Sequence, residues 1–483
     1  VPFFRSETTG SLVSVTWEPQ ANMLNRSLTE TASYLVSLPP GTESFSVTLD
    51  SGAATVVTDG KVLRMRGHLL GRVVVEQPDA TGSLTVTTSG SGFADPKYDS
   101  RAFDSALGLE TLSNGSGSYV ILVATPYLET AGPLVQWKRE KGFNVVVEEV
   151  TAGRTNAEIL AWLRNAYETW DSPPEYVLLF GDVDTVPAWS LSENVTDLPY
   201  ALMDDNDWHA DLMIGRFSCE TVDEAETLVA KSVVYEKTPY VGNTDWFNRS
   251  LMVGGNYGSE TPTSTVQFCG EQLETIGFDP ATEVLFPPHW NGVWPIDFAL
   301  EEGVSICTYR GWAYGTEGWE PPHFTNADIP AVENGLMTPL VMSFVCLNGN
   351  YADDDPCFGE AFTRLGTAEN PRGAVAFIGN GEHWSHTRYN DAMAISFFER
   401  MVEDNVTDLG SMLVASKLRF QDYFPLELEF AAHGEESVEF YCHIYNLLGD
   451  PELNLWKQQP TAMSVDFPFD IYSGATVLEL PRF

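Results

Sequence analysis

The alternation of short apolar runs with amphipathic helical patterns, which begins at residue 119, most constrains the fold of this chain. The runs YVILVAT at 119–125, FNVVVEEV at 143–150 and YVLLFGDV at 176–183 are typical of buried strands, and helical patterns lie between them. The alternation starts again after residue 250 and includes VSICTYRG, TPLVMSFVC and GAVAFIGNG. Strand–helix alternation predicts right-handed βαβ units and parallel sheet. We therefore predict an α/β fold with two related doubly wound units, 119–248 and 249–458.

The two ends of the chain show a different pattern. Residues 1–90 contain short β-branched segments such as SFSVTL and SLTVTT, separated by turn sequences, which predicts a β-sandwich-like domain. Residues 91–118 are rich in Gly, Ser and Asp and are typical of a linker. Residues 459–483 include one alternating segment, ATVLEL. This C-terminal β segment either begins a further β domain or is donated to the open sheet edge of a neighbouring chain, which would produce self-association.

The net charge excludes several kinds of partner. The chain carries 68 acidic residues against 26 Lys and Arg, for a formal charge of −42. Such a surface repels nucleic acid and anionic lipid. It suits a saline medium, in which counterions screen the repulsion, although solubility alone is an equally good explanation. We also find no run of 18 apolar residues and therefore predict no membrane-spanning segment.

Cys346 is a candidate nucleophile because of where it stands in the pattern. It follows the apolar run TPLVMSFV at 338–345, after which the chain becomes polar. A thiol at the carboxyl end of a buried parallel strand lies where open α/β sheets carry their chemistry. The alternative is an inert buried cysteine, which is a common role for an unpaired thiol.

Several longer motifs identify a family. The sequences GDVDTVP at 181–187, NDWHADLMIGRFSCET at 206–221, PCFGEAFTR at 356–364, GAVAFIGN at 373–380 and NLLGDPELNLW at 446–456 resemble the gingipain family of cysteine peptidases, in the same order. The similarity covers roughly 119–458. The resemblance implies a caspase-like fold of two α/β subdomains, of which the second is catalytic. It also implies a secreted protein with an N-terminal β-rich prodomain and an immunoglobulin-like domain after the catalytic unit.

The resemblance assigns the nucleophile to Cys346, but the other functional positions differ from the family. The family's base lies in a Gly-His-Gly turn, where this sequence has Gly311 followed by Trp312. The acid that orients the base corresponds to Tyr257, and residues 263–268, where arginine-specific members carry a further acid, contain none. Indole cannot accept the thiol proton, because its N–H only donates. Without an imidazole, a thiol with a pKa of about 8.5 is mostly protonated at neutral pH.

Two histidines are candidate replacement bases. His386 lies in GNGEHWSHTRYN, the loop after the next strand, and is the first candidate; His323, eleven residues after Trp312, is the second. The alternative for each is a hydrogen-bonded structural histidine. By resemblance, Trp384 lies where the family uses a tryptophan to shape the substrate pocket, and we expect Trp312 to contact substrate as well.

An acidic turn is a candidate calcium site. DDNDWHAD places Asp204, Asp205, Asp207 and Asp211 close together before a strand, and carboxylate oxygens are calcium ligands. Family members bind calcium structurally, whereas a solvated acidic loop is the other explanation. We expect no cofactor to be required for the chemistry itself.

Two functions are consistent with the sequence. The first is a secreted endopeptidase that hydrolyses protein or peptide substrates through Cys346, with a rearranged or degenerate base. The second is a catalytically inactive family member that acts outside the cell as a binding, surface or self-assembling protein. The missing acid at 263–268 implies that an active enzyme would not prefer arginine.

Overall fold

The structure is a computed structural model. It describes residues 5–9, 12–17, 31–52, 55–58, 60–76, 82–90, 92, 95–108, 117–192, 194–203, 207–288, 292–353, 356–403 and 406–461. Asp204 and Asp205 of the predicted calcium turn lie outside the described residues, as do residues 462–483 of the predicted C-terminal β segment.

The N-terminal region consists of two antiparallel sheets. Eight strands are described there: β1 (Arg5–Thr9), β2 (Leu12–Trp17), β3 (Thr31–Leu38), β4 (Thr42–Ser51), β5 (Thr55–Val57), β6 (Val62–Met65), β7 (His68–Glu76) and β8 (Gly82–Gly90). One sheet has the strand order β1-β2-β8-β4; in the other, β3, β5 and β6 each pair with β7. Side chains of β3, β4, β7 and β8, including Phe45, Val73 and Val86, are buried in a core between the sheets.

A ten-stranded sheet forms the centre of the rest of the chain. Fourteen further strands are described: β9 (Ser118–Ala124), β10 (Asn144–Val150), β11 (Pro174–Phe180), β12 (Trp189–Leu191), β13 (Asn194–Thr196), β14 (Met213–Phe217), β15 (Ser250–Gly255), β16 (Thr282–Phe286), β17 (Ile306–Arg310), β18 (Gly318–Trp319), β19 (Phe324–Thr325), β20 (Leu340–Ser343), β21 (Ala376–Asn380) and β22 (Tyr445–Leu448). The large sheet has the order β10-β9-β11-β14-β22-β21-β20-β17-β15-β16. Neighbouring strands in this sheet are parallel, except that β22 runs antiparallel to β21. The predicted α/β fold with a mostly parallel sheet is confirmed.

Helices connect the strands and cover the sheet. They are α1 (Arg101–Ala106), α2 (Gly132–Glu140), α3 (Asn156–Thr169), α4 (Val222–Lys237), α5 (Thr261–Glu274), α6 (Trp294–Glu302), α7 (Phe358–Arg364), α8 (Thr387–Glu403), α9 (Leu409–Phe420), α10 (Phe430–His433) and α11 (Val438–Ile444). Local sequence sets their starts: the Thr155 hydroxyl accepts the Glu158 N–H and the Glu158 carboxylate accepts the Thr155 N–H, which is a capping box at the start of α3.

Cys346 lies at the carboxyl edge of the β20–β21 pair. The two strands are parallel, so the residues that follow them are collected at the same edge. Asn194, in β13, donates to the Glu382 carboxylate after β21 at 3.0 Å, which places part of the connection after β11 beside this edge. Tyr119, near the start of β9, donates to Asp450, which follows β22, at 2.7 Å.

The turn between β6 and β7 joins the N-terminal region to the central unit. Met65 is fully buried and belongs to the same large core as the central sheet. The Arg66 N–H donates to Asp211 at 2.7 Å, and its buried guanidinium donates to the carbonyl groups of Pro173 and Pro174. This turn therefore packs as part of the central unit.

Candidate active site around Cys346

The chain turns sharply at the end of β20 and presents Cys346. Leu347 adopts a positive φ of 61°, and its N–H donates to the Glu382 carbonyl oxygen at 2.9 Å. The backbone of Gly349 passes so close to Gly379 on β21 that a Cβ atom would lie 2.7 Å from the carbonyl carbon. Glycine at 349 therefore lets the turn cross the end of the neighbouring strand, and this crossing fixes the position of Cys346.

The Cys346 thiol contacts a residue of the adjacent loop. Its Sγ lies 3.1 Å from the Ser385 hydroxyl oxygen and 3.7 Å from the Ser385 carbonyl oxygen. Cys346 is partly exposed, whereas the other five cysteines of the chain are buried. Among the described residues, no histidine ring is hydrogen bonded to this sulfur.

Aromatic rings occupy the positions that the resemblance assigns to the base and its orienting acid. The Tyr257 and Trp312 rings lie 4.9 Å apart, centroid to centroid, and are 62% and 48% exposed. The Trp312 backbone is held from below, because its N–H donates to the Tyr309 hydroxyl at 3.0 Å and its carbonyl oxygen accepts from the same group at 2.9 Å. Two contacting aromatic side chains therefore stand at the positions for which the resemblance predicts a histidine and its acid.

Asn348 joins the nucleophile turn to the loop that contains Trp312. Its buried amide nitrogen donates to the carbonyl oxygens of Gly315 and Gly318 at 3.2 and 3.1 Å. Its oxygen accepts the Ser343 hydroxyl at 2.8 Å. The spacing of Cys346 from the 311–318 loop is therefore set by one amide side chain.

A buried arginine braces the 311–318 loop against the loop after β21. The Arg310 guanidinium bonds Asp391 at 2.6 Å and donates to the carbonyl oxygens of Gly311 and Thr387, both at 2.9 Å. Arg310 and Asp391 are both buried. This ion pair therefore holds the loops after β17 and β21 beside each other around the thiol.

The loop after β21 carries the first candidate base, His386. Its side chain is exposed and lines a pocket of about 600 Å³ together with Glu427, Glu435 and Glu436. The His386 backbone N–H donates to the Tyr441 hydroxyl at 2.5 Å. Trp384 is 70% exposed, and its ring packs against His383 at 4.6 Å.

The second candidate base, His323, has a carboxylate partner. Its Nδ1 lies 2.6 Å from Glu320, and the imidazole is 43% exposed. The ring packs edge-to-face against Tyr314 of the 311–318 loop, with 5.7 Å between centroids. His323 therefore has an orienting acid, as catalytic imidazoles generally require.

The described members of the predicted calcium set serve as hydrogen-bond acceptors. Asp207 accepts the N–H groups of Arg64 and His209 at 2.9 and 2.8 Å. Asp211 accepts those of Arg66 and Met203 at 2.7 and 3.0 Å. Through these bonds, Asp207 and Asp211 hold the β6–β7 turn, and the calcium site stays a prediction.

No group of three or more His, Cys, Asp or Glu side chains in the described ranges is arranged to hold a metal ion. No helix in that part of the chain has the length and apolarity needed to cross a membrane.

Sequence reasoning missed Ser385, Asn348 and Arg310. None of these residue types marks a catalytic motif by itself. Each side chain contacts a residue that lies far along the chain and comes close only in the folded sheet. Only their positions beside predicted site residues could have pointed to them. Asn348 stands two residues after the candidate thiol, Arg310 directly before Gly311, and Ser385 between Trp384 and His386.

Comparison with known proteins gives a family match. The model of peptidase family C25 matches residues 113–456. Gingipain R2 of Porphyromonas gingivalis (strain ATCC BAA-308 / W83) is 25% identical over 380 residues, which are 76% of this chain and 49% of that protein. Lys-gingipain W83 of the same species is 24% identical over 388 residues, 72% of this chain and 21% of that protein. The chain thus spans about half the length, or less, of these curated relatives.

Solved structures agree with the fold. The crystal structure of the Arg-specific cysteine proteinase gingipain R superposes with a TM-score of 0.67 at 22% identity, and covers 75% of this chain and 84% of that one. A complex of Porphyromonas gingivalis RgpB pro- and mature domains gives a TM-score of 0.68 at 21% identity, with coverage of 75% and 86%.

Proposed function

The chain belongs to peptidase family C25, and we propose that it hydrolyses peptide bonds through the Cys346 thiolate. The observation that carries the proposal is the position of this thiol. It is the partly exposed cysteine of the six, and it follows a buried parallel strand at the carboxyl edge of the sheet. A fixed turn and two braced loops hold it there.

The reaction requires a thiolate and a proton donor. The sulfur attacks the carbonyl carbon of the peptide bond, a C–S bond forms, and the amine leaves with a proton to give a thioester. Water then hydrolyses the thioester and returns the thiol. An imidazole would supply the proton for the amine.

Between the two candidate bases, the contacts favour His323. The Glu320 carboxylate lies 2.6 Å from its Nδ1, where it can orient the imidazole and favour its protonated form. His386 lies beside Ser385 in sequence but lines the pocket of Glu427, Glu435 and Glu436. We propose His323 as the base.

Peptide cleavage by the purified protein tests the proposal. A broad peptide library is incubated with the wild type, Cys346→Ala, His323→Ala and His386→Ala, and products are read by mass spectrometry. We expect cleavage in the wild type, loss in Cys346→Ala, and a loss of at least about 100-fold in His323→Ala but not in His386→Ala. Equal turnover by wild type and Cys346→Ala would refute the peptidase proposal.

The substrate preference of the active enzyme would not be for arginine. Residues 263–268 lie on α5, carry no acid, and include the buried Thr263, Thr265 and Val266. We propose protein or peptide substrates whose residue before the cleaved bond is uncharged.

A second function is favoured by one observation, the Tyr257–Trp312 contact. A protein that had given up catalysis would no longer need an imidazole at position 312, and exposed aromatic rings suit a binding surface. In that case the chain binds peptides without cleaving them. Peptides retained by the wild type without cleavage, and lost in Trp312→Ala, would support this function.

We also propose an extracellular location. The acidic, lysine-poor composition suits a saline medium, and the gingipain relatives share the family for which secretion is expected. Fractionation of the source cells with an antibody against this chain tests it; exclusive recovery from the cytosol would contradict it.

A further inference from the structure

A chain of side-chain hydrogen bonds ends at the Cys346 sulfur. Ser385 Oγ is 3.1 Å from Sγ and accepts from the Asn390 amide nitrogen at 2.9 Å. The Asn390 oxygen in turn accepts from the Tyr445 hydroxyl at 2.8 Å. Asn380, which pairs with Tyr445 across β21 and β22, lies behind both.

The first amide of the chain is oriented by the backbone. The Glu382 N–H donates to Asn380 Oδ1 at 2.6 Å. The Asn380 amide nitrogen therefore faces Tyr445 and Asn390, and it lies 3.5 Å from Asn390 Oδ1. The Asn380 amide interacts with the Tyr445 hydroxyl, whose proton goes to Asn390 Oδ1.

This orientation is passed on to the serine. Because Asn390 Oδ1 is occupied by donors, its amide nitrogen must be the group that faces Ser385. Ser385 Oγ accepts that N–H, so its own proton is left for a different acceptor. The Cys346 sulfur lies 3.1 Å away, and once it is ionised it can only accept. With a thiolate at position 346, every bond in the chain therefore points its donor toward the sulfur.

Burial strengthens the chain and keeps it neutral. Asn380 and Tyr445 are fully buried and Asn390 is 2% exposed. Burial raises the pKa of Tyr445 well above its usual value, so the phenol remains protonated over the range in which a thiol ionises. Hydrogen bonds in such an environment polarise one another in the same direction.

Aligned donors favour the ionised form of the acceptor. A thiol needs no hydrogen-bond donor at its sulfur, whereas a thiolate is stabilised by one. We propose that Asn380, Tyr445, Asn390 and Ser385 form a relay that stabilises the Cys346 thiolate by aiming the Ser385 hydroxyl at the sulfur. Ser385 touches the reacting atom, and the other three are positioning residues.

This inference rests on the proposed peptidase function, because the relay has a catalytic role only in an active enzyme. Thiol ionisation can still be measured without substrate. The other charged or titratable groups near the thiol are Tyr441, which interacts electrostatically with Cys346, and Arg310, Glu382 and His386, which surround Tyr441. None of them changes in the variants below, so they act equally in each.

The experiment is the pH dependence of iodoacetamide alkylation at Cys346, read by peptide mapping from pH 5 to 10. The full-length chain is compared with Ser385→Ala, Ser385→Thr and Tyr445→Phe. Ser89→Ala is the matched control, because it removes one hydroxyl from an exposed Ser44–Ser89 pair in the N-terminal region.

In Ser385→Ala we expect the midpoint of alkylation to rise by about one pH unit and the rate at pH 7 to fall about tenfold. Ser385→Thr keeps the hydroxyl and should stay within about threefold of the wild type. Tyr445→Phe frees the Asn390 amide and should move the midpoint in the same direction by a smaller amount. Ser89→Ala should not move it.

An unchanged midpoint in both Ser385→Ala and Tyr445→Phe overturns the relay. Should Ser385→Ala not fold, the Tyr445→Phe shift decides alone. A shifted midpoint in a protein that cleaves no peptide would uphold the relay and refute the proposed function. Peptide cleavage without any shift would do the reverse.

Discussion

Two polar regions of the molecule differ in what they keep of the family pattern. The first, which we call the polar junction, consists of Asp182, Ser218, Glu360 and Arg364. The Arg364 guanidinium bonds Glu360 at 2.7 Å, Asp182 at 3.2 Å and the Ser218 carbonyl oxygen at 3.0 Å. The second is the surface around Cys346.

The polar junction joins the two halves of the central unit. Asp182 follows β11 and Ser218 follows β14, whereas Glu360 and Arg364 lie on α7, directly after the second half has presented its thiol. All four belong to the motifs by which the sequence resembles the gingipain family. The surface around Cys346 instead has Trp312 and Tyr257 at the positions that the resemblance assigns to the base and its acid. The family match therefore establishes the architecture of this chain, but it does not by itself establish catalysis.

The largest expected effect is on stability, in Arg364→Ala. The change leaves Glu360 and Asp182 buried without their cation, which costs about 3–5 kcal/mol. Arg249→Ala is the control, because its ion pair with Asp245 is exposed and should contribute less than about 1 kcal/mol. The free energy of unfolding is measured in urea. An equal loss of unfolding free energy in the two variants would mean that the polar junction contributes no more to stability than an exposed ion pair does.

The next effect is the pH dependence of the junction. Burial raises the pKa of Glu360 from 4.5 to about 7, against the opposing pull of Arg364. The folded protein therefore binds a proton more tightly than the unfolded chain. The stabilisation from this group is fully present below about pH 4.5 and is lost as the pH rises through 7, by a total of about 3 kcal/mol.

Glu360→Gln isolates this group from the other titrating residues. Gln cannot ionise, so the wild type should lose stability relative to the variant between pH 4.5 and 7, and the difference should be constant above pH 8. Urea unfolding at half-unit pH intervals measures it. A difference that does not change with pH would mean that Glu360 titrates alike in both states.

Substitutions at the surface around Cys346 should alter the rate of peptide cleavage. Replacing Trp312 by His together with Tyr257→Asp supplies the imidazole and acid that the family pattern contains. We expect Cys346-dependent peptide cleavage to rise by about 100-fold or more, which is typical of a positioned acid–base group. The double variant Trp312→Phe, Tyr257→Asn lacks an imidazole and serves as the control. A rise in the control, or none in the His variant, would mean that position 312 does not reach the reacting bond.

The sequence was sufficient for the features that depend on local pattern. Buried strands, the Thr155 cap and the placement of Cys346 after a strand all follow from runs of neighbouring residues, and the α/β fold agrees. The Ser385 contact and the relay behind it could not be predicted, because they depend on the register that sets Asn380 opposite Tyr445, 65 residues away. The role of Asp207 and Asp211 was also hidden, since their partners Arg64 and Arg66 come from the N-terminal region. Side chains that meet only through sheet pairing leave no periodic signal in one sequence.

The smallest expected effect is the contribution of the Tyr257–Trp312 contact to stability. The Tyr257 ring is 62% exposed and touches Trp312 at 4.9 Å, so Tyr257→Ala should lower the free energy of unfolding by only about 0.5–1.5 kcal/mol. Because the contact lies over the 311–318 loop, its loss should speed amide hydrogen exchange in that loop. Trp294→Ala removes a similar exposed contact, with Phe298 on α6, and should cost a similar amount without that local change. Faster exchange in the loop with both variants would assign the effect to general destabilisation, whereas a response to Tyr257→Ala alone would show that the aromatic pair holds the 311–318 loop in place.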